Sequence, residues 1–237
     1  MGINTTTRTQ ESEIMDDFSL EGEELRDALD KIAAINQLLG GNKLTLNGVK
    51  QLLKKKDKNE VITIADVGCG NGDMLRMLAD YGKKEKFQFK LIGIDANAFT
   101  INHARQLSIK YDNIDYLCID IFSPKFEHIQ YDIVLCTLTL HHFQDQDIVD
   151  LITTFKKNAH IGIVINDLHR SNLAYRLFSF ICRIFTLNRM SREDGLVSIL
   201  RGFKKEDLEA FSQKLNLKNY SIHWKWAFRY QWIIYNI

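Results

Sequence analysis

Apolar residues follow two alternating rhythms along the chain. From Leu20 onward, Leu25, Leu29, Ile32, Ala33, Ile35 and Leu38 recur at helical spacing. Glu21, Glu23 and Glu24 open this stretch and Gly40-Gly41 stop it, which predicts a helix whose acidic start complements its dipole. A second helix is predicted from Leu44 to Lys55, with Leu46, Val49, Leu52 and Leu53 on one face. The rhythm then changes to short, nearly continuous apolar runs: Val61 to Gly68, Phe89 to Asp95, Ile114 to Asp120, Tyr131 to Thr137 and Ile161 to Asp167. Helical segments begin between them near Asp73, Asn97 and Gln144, and a short link passes through Ser123 and Pro124. Strands that are apolar at consecutive positions are buried on both faces, so the pattern predicts a doubly wound α/β domain around a parallel sheet.

Beyond Asp167 the helical rhythm returns. Leu173, Leu177, Phe180, Ile181, Ile184 and Phe185 share a stripe, with Arg176 and Arg183 elsewhere. This fits a helix packed on the domain, a lid over a pocket, or a helix lying on a membrane surface. Arg201-Gly202-Phe203 leads into a helix around Lys204 to Lys214, and the aromatic end WKWAFRYQWIIYNI alternates as antiparallel strands at a sheet edge do. The expected organisation is a flexible polar tail over 1–18, a helical cap segment over 19–58, and an α/β domain over 59–237 carrying a helical insertion at 171–201.

Composition removes several classes of function. The 237 residues carry 31 Lys+Arg against 30 Asp+Glu, a net charge of +1, which supplies no general field for polyanions. Lys54, Lys55, Lys56 and Lys58 form a basic run, interrupted by Asp57 and without an aromatic neighbour, so nucleic acid is not an expected partner. Cys69, Cys118, Cys136 and Cys182 show neither a C-x-x-C pair nor metal-ligand spacing, and are expected to be reduced in a cytoplasmic protein. No window approaches the roughly 18 apolar residues of a membrane span.

Chemistry concentrates at the end of the first run, in Asp66-Val67-Gly68-Cys69-Gly70-Asn71-Gly72. Glycines let a turn adopt positive φ and let a ligand approach its backbone. The lysine of a phosphate-binding P-loop is missing, and G-x-G-x-G is not the G-x-G-x-x-G of dinucleotide sites. Asp66 and Asp73 flank the loop, a poor environment for a pyrophosphate and a suitable one for an ammonium or sulfonium group. Asp95 ends the second run, where a carboxylate accepts bonds from ribose hydroxyls or caps the next helix. Asp120 ends the third, where its carboxylate or the adjoining amide could meet an adenine amino group.

Together DVGCGNG (66–72), GID (93–95), CID (118–120) and YDIVLCTLTLHHF (131–143) resemble class I S-adenosylmethionine-dependent methyltransferases. The resemblance implies a Rossmann-like seven-stranded sheet, parallel except for one strand. It implies that Asp66, Gly68, Cys69, Gly70 and Gly72 underlie the methionine and ribose part of the cofactor. Asp95 would hold the ribose, with Ala96 beside the adenine, Asp120 and Ile121 at its amino edge, and Thr137 near the cofactor amino group or methyl. EIMDD, INQLLGG and NDLHR are similar to segments of a bacterial subgroup acting on polyketide, phenolic or quinone-like acceptors.

Methyl transfer to oxygen or carbon of such a small acceptor asks mainly for positioning, with a base where the acceptor must lose a proton. His142 and His169 are the candidate bases. His141, His142, His169, Arg170 and Met15 are candidate acceptor contacts, with Phe178, Phe180, Phe185 and Met190 as apolar walls. No metal is expected, and the chain is expected to act as a monomer or homodimer. A protein or RNA methyltransferase and a non-catalytic cofactor-binding module are the alternatives.

Overall fold

The computed structural model describes residues 3–54, 56–184 and 187–236, with the backbone alone of Ile184. Lys55 and Phe185, named above in a helix and a pocket wall, lie outside the described residues. The five apolar runs are strands: β1 (Val61–Val67), β2 (Gln88–Asp95), β3 (Ile114–Cys118), β4 (Tyr131–Thr137) and β5 (Ala159–Leu168). The aromatic C-terminus forms β6 (Tyr220–Lys225) and β7 (Arg229–Tyr235). They make one sheet in the order β3-β2-β1-β4-β5-β7-β6, in which only β7 runs antiparallel to its neighbours.

Neighbouring residues on a strand point to opposite faces, and both faces here are covered. Ile64 and Ala65, adjacent on β1, are both fully buried. One face carries α2 (Gly41–Leu52), α3 (Asp73–Glu85) and α4 (Ala98–Leu107), which set Val49, Leu52, Leu75, Leu78 and Ile101 against Ile64, Leu91 and Ile133. On the other, α5 (Asp145–Asn158) and α8 (Lys205–Lys214) set Ile148, Phe155, Leu208 and Phe211 against Val134, Ile163 and Trp232. Burying a side chain such as Phe155 contributes about 2–3 kcal/mol, so the sheet is a stiff base for the loops at its edge. Strand order reverses between β1 and β4, and the loops after them part at the carboxyl edge to leave a crevice.

Three further helices build over that edge: α1 (Glu23–Leu38), α6 (Asn172–Ile184) and α7 (Arg189–Arg201). The insertion over 171–201 is thus two helices packed on one another. No helix among the described residues is long and apolar enough to cross a membrane, and the four cysteines are free.

In the tail, residues 8–16 dock on the rest of the fold. Thr9 N–H donates to Leu200 O at 3.2 Å, and Arg8 Nη2 donates to the carbonyls of His141 and Phe143 at 3.0 and 2.9 Å. The amides of Ile14 and Met15 donate to Asp194 Oδ1 and Oδ2 at 2.6 and 3.0 Å. Asp194 is 2% exposed on α7. A polar tail reads as mobile when its partners lie some 180 residues away in sequence.

Hydrogen bonds to a charged acceptor contribute roughly 1.5–3 kcal/mol each. Asp194→Ala is therefore expected to free the tail: amide hydrogen exchange over residues 8–16 should accelerate by at least tenfold, while β1 and β4 keep their protection. Unchanged exchange in the tail would show that Asp194 does not hold it.

Candidate active site

The β1–α3 loop forms the floor of the crevice. Gly68, Gly70 and Gly72 have φ of 69°, 51° and 78°, the left-handed region where a side chain is strained. The amides of Gly68 and Cys69 both donate to Ile94 O, at 2.8 and 3.1 Å, which locks the loop to the end of β2. Added Cβ atoms would come within 2.3 Å of Thr139 Oγ1 at Gly68 and 2.0 Å of Tyr116 Oη at Gly72, but would stand nearly free at Gly70. Gly70 thus faces open space, while Gly72 supports the turn from below.

A cavity of about 540 Å³ lies above this floor. It is lined by Asp66, Gly68, Cys69 and Gly70 from the loop, Asp95 and Ala96 after β2, Asp120 and Ile121 after β3, and Thr137 after β4. Of the ten residues expected to hold the cofactor, Gly72 alone is absent from the lining, because it packs on Tyr116. Six aspartates, Asp16, Asp66, Asp73, Asp95, Asp120 and Asp147, share the wall with a single arginine, Arg201.

Asp66 is 2% exposed and its Oδ1 has no hydrogen-bond partner among the described residues. Burial, reinforced by Asp73 and Asp95, raises its pKa well above the usual carboxylate range. Asp95 is also raised by burial, against the amides of Asn97 and Gly70, which donate to its two oxygens at 3.0 and 3.3 Å. Asp120 Oδ1 accepts from Phe122 N–H at 2.9 Å, turning its own loop. Thr137 Oγ1 lies 3.1 Å from Thr45 Oγ1 on α2. An orphaned buried carboxylate beside a wall rich in acids, over a glycine floor, fits a ligand that carries positive charge and a ribose. The donor set therefore fits S-adenosylmethionine and disfavours a pyrophosphate.

A second cavity, of about 330 Å³, adjoins the first and is mostly apolar. Ile35, Leu39, Leu177, Phe178, Phe180 and Ile181 line it with Trp226 and Phe228 of the β6–β7 turn. Met15, Ile32, Asn36, Leu138 and His142 line both cavities and mark their junction. Leu138 has φ 53°, a strained value for a branched side chain, and its amide is held by Asn166 O at 2.9 Å.

At the junction the histidines are fixed by carboxylates. His141 Nδ1 lies 2.7 Å from Asp167 Oδ1, and His142 Nδ1 lies 2.6 Å from Asp16 Oδ1. Burial opposes ionisation of both aspartates, but His141 holds Asp167 below the usual range, and His142 with Arg201 does the same for Asp16. An ionised carboxylate only accepts, so Nδ1 of His142 carries a proton and, in the neutral ring, Nε2 keeps the lone pair. Arg201 Nη1 donates to Asp16 Oδ2 at 2.6 Å, and Ser198 Oγ donates to Glu13 Oε2 at 2.7 Å. Glu13 is 5% exposed, and burial raises it to about 7. Glu13, His141 and His142 offer atoms within 4.8 Å of one another, a spacing a cation could bridge. Arg201 Nη1, 3.8 Å from Glu13 Oε1, already places a positive charge there.

Other expected contacts are placed differently. Met15, His141, His142 and His169 line the second cavity, but Arg170 does not. Arg170 is 2% exposed and donates to Gly202 O at 2.5 Å and Thr5 O at 3.1 Å, with Asp207 at 3.0 Å. Its forked donors are consumed in tying the tail to the start of α8. Trp224 Nε1 donates to His169 Nδ1 at 3.2 Å, which anchors His169 to β6, and burial lowers its pKa. Met190 is buried with Leu25 and Ala28 between α7 and α1 and is not among the residues lining either cavity. Glu13, Asp16, Asp167 and Arg201 had no role in the sequence reading. The only sign of them was that EIMDD and NDLHR stood out as segments.

Residues 64–162 match the family model described as "Methyltransferase domain". A search of curated proteins found no match. Among solved structures, the plantazolicin methyltransferase BpumL in complex with SAH is similar at TM-score 0.64 and 18% identity, over 88% of this chain and 89% of that one. Magnesium protoporphyrin IX methyltransferase (ChlM) from Synechocystis PCC 6803 with bound SAH gives 0.54 and 15%, over 83% of each chain. The CurJ carbon methyltransferase gives 0.60 and 13%, over 81% of this chain and 54% of that one. Residues 64–162, which include the glycine floor and β2 to β4, thus match a methyltransferase domain within a chain that has the Rossmann-like fold of the class I methyltransferases.

Proposed function

We propose that this protein is an S-adenosylmethionine-dependent methyltransferase acting on oxygen or carbon of a small, largely apolar acceptor of aromatic, polyketide-like or quinone-like kind. One observation carries the reading. An acid-rich cavity floored by glycines meets an apolar cavity at five shared residues, so a charged donor and an apolar acceptor can face each other there. The similar structures are named for methyl transfer within plantazolicin, magnesium protoporphyrin IX and a carbon centre, which accords with a small-molecule acceptor.

When bound, S-adenosylmethionine supplies a methyl group on a sulfonium. Asp66 is the partner for the aminoacid ammonium, Asp95 for the ribose hydroxyls, and Asp120 with Ile121 for the adenine edge. Met15, Ile32 and Leu138 close the junction to water and align the acceptor, where positioning contributes several kcal/mol. His142, oriented by Asp16, takes the proton from an acceptor hydroxyl or acidic C–H on Nε2. His169 is the weaker candidate base, since its Nδ1 already accepts a bond and its pKa is lowered.

Incubating cell extract with methyl-labelled cofactor and the enzyme, then separating small molecules from protein and RNA, tests the reading. Label is expected in the small-molecule fraction, and label confined to macromolecules would overturn it. His142→Ala should cut labelling about 100-fold.

Asp95→Ala should weaken cofactor binding by at least about tenfold. Because Asp66 and Asp95 are raised in the free protein and a cationic ligand favours their ionised forms, affinity should climb as pH rises above the ordinary carboxylate range. A flat titration profile would remove these two groups from the cofactor site.

A further inference from the structure

The apolar cavity is lined by residues whose buried polar atoms lack partners. Nε and Nη1 of Arg229, Oδ1 of Asn36, Oε1 of Glu13 and Nε2 of His141 have no hydrogen-bond partner among the described residues. Arg229 is the most demanding of these. It is 3% exposed, and no carboxylate among the described residues stands within ion-pair distance of it. Asp167 acts on it through space, but the Asp167 oxygens are taken by His141 Nδ1 at 2.7 Å and by the amides of Leu168 and His141 at 2.7 and 3.2 Å.

A guanidinium buried without a partner is a costly arrangement, and burial here pushes its pKa down to about 10. The fold nevertheless holds it firmly. Arg229 is the first residue of β7 and pairs with Leu168 of β5. It follows Ala227 and Phe228, both in the left-handed region at φ 62° and 54° without a glycine. A Cβ at Gly41 would come within 3.2 Å of Arg229 Cζ and 1.8 Å of Asn36 Oδ1, so the lack of a side chain there makes room for both groups. Strained backbone, a tailored gap and an unpaired cation together describe a group held ready for a ligand.

We propose that Arg229 recognises a planar oxyanion, a carboxylate or phenolate, on an otherwise apolar acceptor seated in the second cavity. A forked guanidinium matches two oxygens or one delocalised oxyanion, and the apolar walls match an aliphatic or aromatic body. Asn36, which lines both cavities, provides an acceptor for a hydroxyl on the same molecule. The word acceptor rests on the methyl-transfer reading. The anion site itself does not, because it can be occupied without any cofactor.

The test uses the full, tag-free chain and calorimetric titration with decanoate, with para-nitrophenolate and with neutral decanol. Wild type should prefer an anion over decanol by about tenfold or more. Arg229→Met should abolish the preference and Arg229→Lys should retain part of it. Because Arg229→Met removes a buried charge without orphaning a partner, its Tm should equal or exceed that of wild type. Equal binding of anions and decanol, binding of none of the probes, or a preference that survives Arg229→Met would overturn the proposal. So would a marked fall in Tm for Arg229→Met, which would make the arginine structural. Parallel titration with S-adenosylmethionine separates a failure here from a failure of the methyl-transfer reading.

Discussion

The contact between Asp16 of the tail, His142 after β4 and Arg201 at the end of α7 is the interaction on which the site depends. The sheet alone leaves its carboxyl edge open. Asp16 bridges a histidine from one loop and an arginine from a distant helix, and all three line the first cavity. The same contact sets which histidine nitrogen carries the proton. The orientation of His142 is thus a consequence of one half-buried hydrogen-bonded triad, whose members are poor stabilisers singly and good specifiers of geometry together.

The two cavities divide their electrostatics. The first collects aspartates over a glycine floor and leaves one carboxylate oxygen of Asp66 without a partner. The second is walled by Leu, Ile, Phe and Trp side chains and contains an arginine whose Nε and Nη1 have no hydrogen-bond partner among the described residues. Each carries the charge opposite to that of the ligand group proposed for it, a cation in the first and an anion in the second. Folding tolerates this because the sheet beneath is buried on both faces by two apolar layers. A scaffold with that much buried area can hold groups that destabilise it locally.

The fold and half of the site were legible in the sequence. Consecutive burial on strands writes itself as apolar runs, and the left-handed turn after β1 demands glycine, so Asp66 to Gly70, Asp95 and Asp120 could be found from composition and spacing. The acceptor side was not legible in the same way. Arg170 has the composition of an anion binder and is used instead to tie the tail to α8, whereas Arg229, in a run that reads as an ordinary edge strand, faces the cavity. The tail reads as mobile because most of its polar groups find partners far away in sequence, on α7, after β4 and after β5.

By itself the sequence determined what depends on near neighbours: period, turn conformation, caps and the order of the strands' apolar runs. Tertiary structure alone decided what depends on pairing between elements distant in sequence, from 26 to 126 positions apart: which histidine is backed by which carboxylate, which arginine is satisfied, and where the apolar stripe of α6 finds a cavity. The reason is physical. Local conformation follows from sterics and hydrogen bonds within a few residues, whereas the worth of a buried charge is set by whatever else the fold brings within a few ångströms of it.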